Sequence, residues 1–171
     1  GYYARVENNR LYGRLFRLFY IPLVRALAET DPHPLVDYLD AFRYGLAGEF
    51  AVTGKMARRL RAQRGWGLEV GTLGEAYRLA GFDGSAQVDL GVHEHDHRSV
   101  AGPQGLGDMC REVGSALFHA LSDAGVIPAY DDLADQYRGV ATTLVKQYAA
   151  DAAFNGLDHD ATAEREQVST Y

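Results

Sequence analysis

The sequence predicts a mixed α/β fold, and three observations carry that expectation. Short segments rich in aromatic and β-branched residues alternate with stretches whose apolar residues recur every three or four positions. The strand-like segments are too few for a complete doubly wound sheet. A chain of 171 residues with 47% hydrophobic and 23% charged content can bury one sizeable core.

The first element, Gly1-Tyr2-Tyr3-Ala4-Arg5-Val6, reads as a strand from its aromatic and β-branched residues. A strand at so abrupt a start, with no initiating methionine, predicts that an N-terminal portion precedes it. Asn8-Asn9 would cap a helix over residues 11–29, with Leu11, Leu15, Leu18, Phe19, Leu23 and Leu27 on its buried face and Pro22 kinking or splitting it. Asp31-Pro32-His33-Pro34 is a loop, and Phe42-Arg43-Tyr44-Gly45-Leu46 a short strand. Thr53 would cap a helix over residues 55–63, whose outer face carries Arg58, Arg59, Arg61 and Arg64. Gly65-Trp66-Gly67-Leu68-Glu69-Val70-Gly71 is a glycine-punctuated turn into a helix over residues 72–79. Alternation from residue 85 to 92 predicts a strand, followed at once by His93-Glu94-His95-Asp96-His97-Arg98.

Two longer helices follow. Leu106, Met109, Val113, Leu117 and Leu121 stripe the first, and Leu133, Tyr137, Val140, Leu144 and Tyr148 the second. These stripes would either pack within the subunit or support a homodimer. Beyond Ala161 the composition predicts a loose polar tail.

Net charge −6 argues against nucleic-acid binding, which needs a basic surface. A single cysteine, Cys110, excludes an internal disulfide, and its place on an apolar stripe makes it a core residue. The most apolar run is broken by Arg17, Pro22 and Arg25, so it does not span a membrane. With no signal peptide visible, the expected location is the cytoplasm.

Several residues could carry chemistry. In an extended segment His93, His95 and His97 point to one side and Glu94 and Asp96 to the other. Imidazole suits a transition metal and carboxylates suit Mg²⁺ or Mn²⁺; a solvated polar loop is the other reading. Gly67 and its neighbouring glycines would let a backbone approach a ligand, with Trp66 as a wall and Glu69 as a partly buried carboxylate. Arg5, Arg10, Arg14 and Arg17 are available for an anion, and Arg14 follows Gly13 near a helix start.

In order along the chain, Gly48-Glu49-Phe50-Ala51, the glycine turn holding Glu69, and Ala86-Gln87-Val88-Asp89-Leu90-Gly91-Val92 followed by His95 form one pattern. It resembles the C-terminal half of glucosyl-3-phosphoglycerate synthases and the related mannosyl-3-phosphoglycerate synthases, over roughly residues 1–121. The resemblance implies the C-terminal part of a GT-A (Rossmann-like) glycosyltransferase fold with added C-terminal helices. It divides the chain into an acceptor- and metal-binding half (1–102), a helical extension (103–160) and a polar tail (161–171). The implied activity is transfer of a hexose, with retention, from a nucleotide diphosphate sugar (UDP-glucose or GDP-mannose) to D-3-phosphoglycerate. By the same resemblance, His95 ligates a divalent metal, Mg²⁺ or Mn²⁺. Glu69, as the catalytic-site carboxylate, and Gly67 meet the donor, while Arg14 and His97 hold the acceptor. Phe16 stands where relatives often carry threonine. The Asp-x-Asp motif that such enzymes use to bridge metal and diphosphate does not occur in a suitable place; Asp158-His159-Asp160 lies in the polar C-terminal region. A chain with no donor half would instead be a non-catalytic α/β module binding a metal or an anion.

Overall fold

Among the described residues the one two-stranded sheet lies near the start of the chain, and the asparagine pair decides it. In the computed structural model, which describes residues 1–91 and 102–171, β1 (Val6–Glu7) pairs antiparallel with β2 (Arg10–Leu11). Asn8 and Asn9 between them have φ of 47° and 61°. A two-residue hairpin needs this left-handed conformation, and asparagine tolerates it. The pair therefore closes a hairpin and caps no helix. Of the strand expected at residues 85–92, the described part keeps one parallel bridge, between Tyr2 and Asp89. The Tyr2 N–H donates to the Val88 carbonyl at 2.9 Å, and the Leu90 N–H to that of Tyr2 at 3.0 Å.

The first helix opens as a wide π turn (Leu15–Tyr20) and continues as α1 (Ile21–Thr30). Pro22 is the physical reason for the change of pitch: it has no N–H to return to the carbonyl four residues back. That carbonyl, on Leu18, accepts the Tyr137 hydroxyl at 2.8 Å instead. The helix is therefore not split at Pro22: it runs on unbroken with a change of pitch, and an interhelical bond takes the place of the missing one.

The loop 31–34 leads into α2 (Pro34–Asp40), a helix not among those expected from the sequence. His33 caps it, its Nδ1 accepting the Leu35 N–H at 3.1 Å. Phe42–Leu46 is a turn rather than a strand, because Phe42 and Tyr44 turn onto the core instead of pairing. Thr53 does cap α3 (Gly54–Ala57), but the helix lasts one turn. A tight turn (Gly65–Gly67) runs straight into α4 (Leu68–Ala80), which starts four residues earlier than expected and places Glu69 in its first turn.

α5 (Gly102–Asp123) and α6 (Tyr130–Phe154) close the core. Val113, Leu117 and Leu121 from the one, and Leu133 and Leu144 from the other, join Leu18, Val24, Leu27, Leu39 and Val70 in one buried cluster. Both stripes are therefore spent within the subunit. Cys110 is buried, and burial pushes its thiol up to about 12. No helix among the described residues is long and apolar enough to cross a membrane.

The segment beyond residue 160 is no loose tail. It forms α7 (Ala161–Val168), capped by Asp160, whose Oδ1 accepts the Thr162 and Ala163 N–H groups. Its composition looks polar because its one buried carboxylate, Glu164, has a partner on another element. Arg17 of the π turn donates to both Glu164 oxygens, at 2.6 and 3.1 Å.

A second ion cluster stops α3 early. Glu75 on α4 accepts from the Arg61 backbone and guanidinium and from Arg78, and Arg61 reaches Asp123 as well. The two guanidinium groups, Arg78 first, hold the Glu75 carboxyl well below its ordinary 4.5. A carboxylate with a lowered pKa stabilises the fold above its unfolded value and loses that contribution as pH falls. Resistance of the parent chain to urea should fall from about pH 4.5 downward, and Glu75→Gln should flatten that part of the profile. An unchanged profile would show that Glu75 contributes nothing to acid stability.

Candidate functional site

The described motif segments converge beside the first hairpin. The Gly1 nitrogen lies 2.6 Å from the Glu49 carbonyl oxygen, while the neighbouring Tyr2 bridges to residues 88–90. Gly48 faces the Glu69 carboxyl: a Cβ built on it would lie 3.9 Å from Oε1. Residues 1–2 thereby join 48–49 to 88–90, and Gly48 brings Glu69 beside them.

Arg5 sits among them. Its guanidinium lies 4.7 Å from the Tyr44 ring and 5.3 Å from the Tyr3 ring, and it donates to the Tyr3 hydroxyl at 2.9 Å. Gly13 closes over the same rings, with φ of +78° and the Tyr44 ring 3.5 Å from where a Cβ would be. A side chain there would be strained in conformation and pressed on Tyr44.

The electrostatics follow from this packing. Glu69 is half-buried, and its carboxyl is raised above the ordinary value, by burial first and then by the nearby Glu49 charge. The guanidinium of Arg5 works the other way, favouring the ionised form. Burial likewise pushes the Tyr44 phenol up to about 12. The result is a half-buried carboxylate beside a second carboxylate, a fixed cation and aromatic rings. Such a group accepts hydrogen bonds from neutral hydroxyls well, because desolvation strengthens them.

The residues expected from the sequence fall in different places. Glu69 belongs to this cluster. Gly67 is buried against α5, where a Cβ would come within 2.7 Å of the Ala116 Cβ and 2.9 Å of the Glu112 carbonyl, so close helix packing already requires glycine there. Trp66 beside it is 48% exposed, with its N–H donated to Glu112. Arg14 is exposed and donates to Gln167 at 3.4 Å. Phe16 is buried, stacked on Tyr20 and tilted against Tyr44, so it supplies core. His95 and His97, with His93, Glu94, Asp96 and Arg98, lie outside the described residues. Among the described residues no three or more His, Cys, Asp or Glu side chains gather as metal ligands would. The Asp158 N–H donates to the Asn9 carbonyl and Asp160 caps α7, which gives both aspartates structural partners.

Two members of the cluster, Arg5 and Glu49, are not singled out by the local sequence pattern. Arg5 was one arginine among several, and Glu49 was part of a motif string. The signal for Glu49 is its place directly after Gly48, much as Glu69 stands two residues after Gly67.

Comparison with characterised sequences places this geometry in context. The chain is 36% identical over 178 residues to a glucosyl-3-phosphoglycerate synthase of Persephonella marina, an alignment covering all of this chain and 44% of that protein. A glucosyl-3-phosphoglycerate synthase of Methanococcoides burtonii is 35% identical with the same coverage of each chain. One from Mycolicibacterium smegmatis is 33% identical over 134 residues, 74% of this chain and 41% of its own. The likeness thus extends past residue 121 into the C-terminal helices. The chain spans 44% of the length of the first two relatives. No family model and no solved structure matches it.

Proposed function

From its kinship, over its whole length, with glucosyl-3-phosphoglycerate synthases, we propose that this chain supplies the acceptor- and metal-binding part of a hexosyltransferase. The donor is a nucleotide diphosphate sugar, UDP-glucose or GDP-mannose, and the acceptor is D-3-phosphoglycerate, with retention at the transferred carbon. The architecture is the C-terminal part of a GT-A fold extended by α5, α6 and α7. The observation that carries the reading is the convergence of Glu69, Gly48-Glu49 and the 88–90 segment on one place, in a chain related along its full length to these enzymes.

Within this reading the chain's own groups have separate tasks. Glu69 accepts hydrogen bonds from hydroxyls of the donor sugar, strengthened by its half-buried setting. The Arg5 charge favours the ionised form of that carboxylate. Arg14 presents a guanidinium for the acceptor's phosphate, exchanging its single long bond to Gln167 for a charge-assisted one. His97 orients the acceptor on the donor's reacting face. His95 offers an imidazole to a divalent cation, Mg²⁺ or Mn²⁺; when bound, the cation supplies charge neutralisation for the departing diphosphate.

The test is transfer by the complete protein. Hexose transfer to 3-phosphoglycerate should require Mg²⁺ or Mn²⁺, and His95→Ala should raise the half-saturating metal concentration at least about tenfold. No transfer from any nucleotide diphosphate hexose would overturn the function. Transfer with an unchanged metal requirement would overturn the role of His95.

A further inference from the structure

A cavity of about 410 Å³ opens between the hairpin, α1 and the 40–44 turn, and its wall is built from arginine. Arg5, Arg17, Arg25 and Arg43 line it, with Tyr44 among the rings between them. Asp40 is the one carboxylate in the lining. In a chain of net charge −6 this is a local reversal of sign.

The four guanidinium groups differ in how far they are satisfied. Arg17 is buried and paired with Glu164, so it contributes a fixed field and no spare charge. Arg25 holds Asp40 at 3.2 Å through a half-exposed pair that an incoming anion can exchange. Arg43 is exposed and its guanidinium rests 5.3 Å from the Tyr2 ring, an aromatic contact that leaves the N–H fork open to an acceptor. The Nε–H of Arg5 is buried with no hydrogen-bond partner among the described residues. That nitrogen is shielded from the cavity, but the Arg5 guanidinium, which donates to the Tyr3 hydroxyl through Nη2, sets a fixed positive charge on the wall.

We infer that this cavity is an anion site for a small phosphorylated molecule. Arg5 and Arg43 donate to its phosphate oxygens, and Arg25 joins them by releasing Asp40. The volume admits a phosphate with a short polar body. Arg14, assigned to the acceptor, does not line the cavity, whereas Arg5 and Tyr44 are shared between its wall and the Glu69 cluster. The site does not rest on the transferase reading.

Inorganic phosphate is the probe, titrated into the complete protein by isothermal calorimetry at constant ionic strength. Arg43→Gln and Arg25→Gln change exposed positions away from the Glu69 cluster, and each should weaken phosphate binding by about tenfold or more. Arg14→Gln should leave this binding intact. Circular dichroism melts that match the parent establish that the variants fold. The proposal is overturned if phosphate shows no saturable binding. It is equally overturned if Arg14→Gln abolishes the binding while Arg25→Gln and Arg43→Gln spare it.

Discussion

Glu164→Ala should unfold about 3–5 kcal/mol more easily than the parent chain, because it strands a buried guanidinium. The side chains of Arg17 and Glu164 are 8% and 11% exposed, and the pair is bidentate. The Arg17 Nε–H also donates to the Tyr12 carbonyl at 3.0 Å, and its guanidinium lies 4.8 Å from the Tyr148 ring. These neutral partners cannot replace the lost charge. For a chain of this size the change corresponds to a fall of roughly 6–20 °C in melting temperature. Replacing both partners together, Arg17→Met with Glu164→Leu, should recover most of the loss, since no charge is then buried alone. Calorimetry of the three variants measures this. A single variant melting within about 2 °C of the parent would show the pair to be screened by water.

Glu69→Gln carries the largest functional effect. If the carboxylate accepts hydrogen bonds from the donor sugar, the neutral amide loses a charge-assisted bond worth about 1.5–3 kcal/mol, or up to roughly 10²-fold in kcat/KM. The pH dependence gives the signature. Burial and Glu49 raise the Glu69 carboxyl above its ordinary value, so its ionised form, and with it transfer, is lost as pH falls through that raised value. Stability has the opposite sign. The raised group favours the fold below its unfolded pKa, and that favour disappears as pH rises through the folded one. Glu69→Gln should therefore lose the acid limb of the rate profile without losing stability near neutral pH. Steady-state rates against pH, measured beside thermal melts, separate the two. A variant with unchanged kcat/KM ends the assignment of Glu69.

The sequence was most informative where a local rule decides the outcome alone. Thr53 caps a helix because its hydroxyl needs only the N–H three residues on. The α5 and α6 stripes bury as their spacing requires. Pro22 breaks the helix pitch for want of a donor. It was least informative where two readings share one composition. Asn8-Asn9 suits a helix cap and a hairpin turn equally, and the pairing of Val6 with Leu11 decides between them. Phe42 and Tyr44 have strand character, but the core offered their rings more burial than a strand partner could. Glu164 reads as surface, because its value depends on an arginine 147 residues away. In the candidate site, Glu69 was legible as a carboxylate among apolar residues that burial would oblige to find partners. Arg5 was not, since stacking between Tyr3 and Tyr44 depends on how the hairpin folds back.

The bond between Arg17 and Glu164 also sets an order of events. A ribosome makes the chain from one end, so Arg17 emerges long before the carboxylate that neutralises it. Until α7 is made, that guanidinium belongs in water, and the π turn carrying it is held off the core. Contacts so distant along the chain form late, after the loop between them has been closed. The segment displaying Gly13 and Arg14 should therefore reach its final place only after α7 has been made. A ribosome-bound chain stopped before residue 164 should leave it undocked.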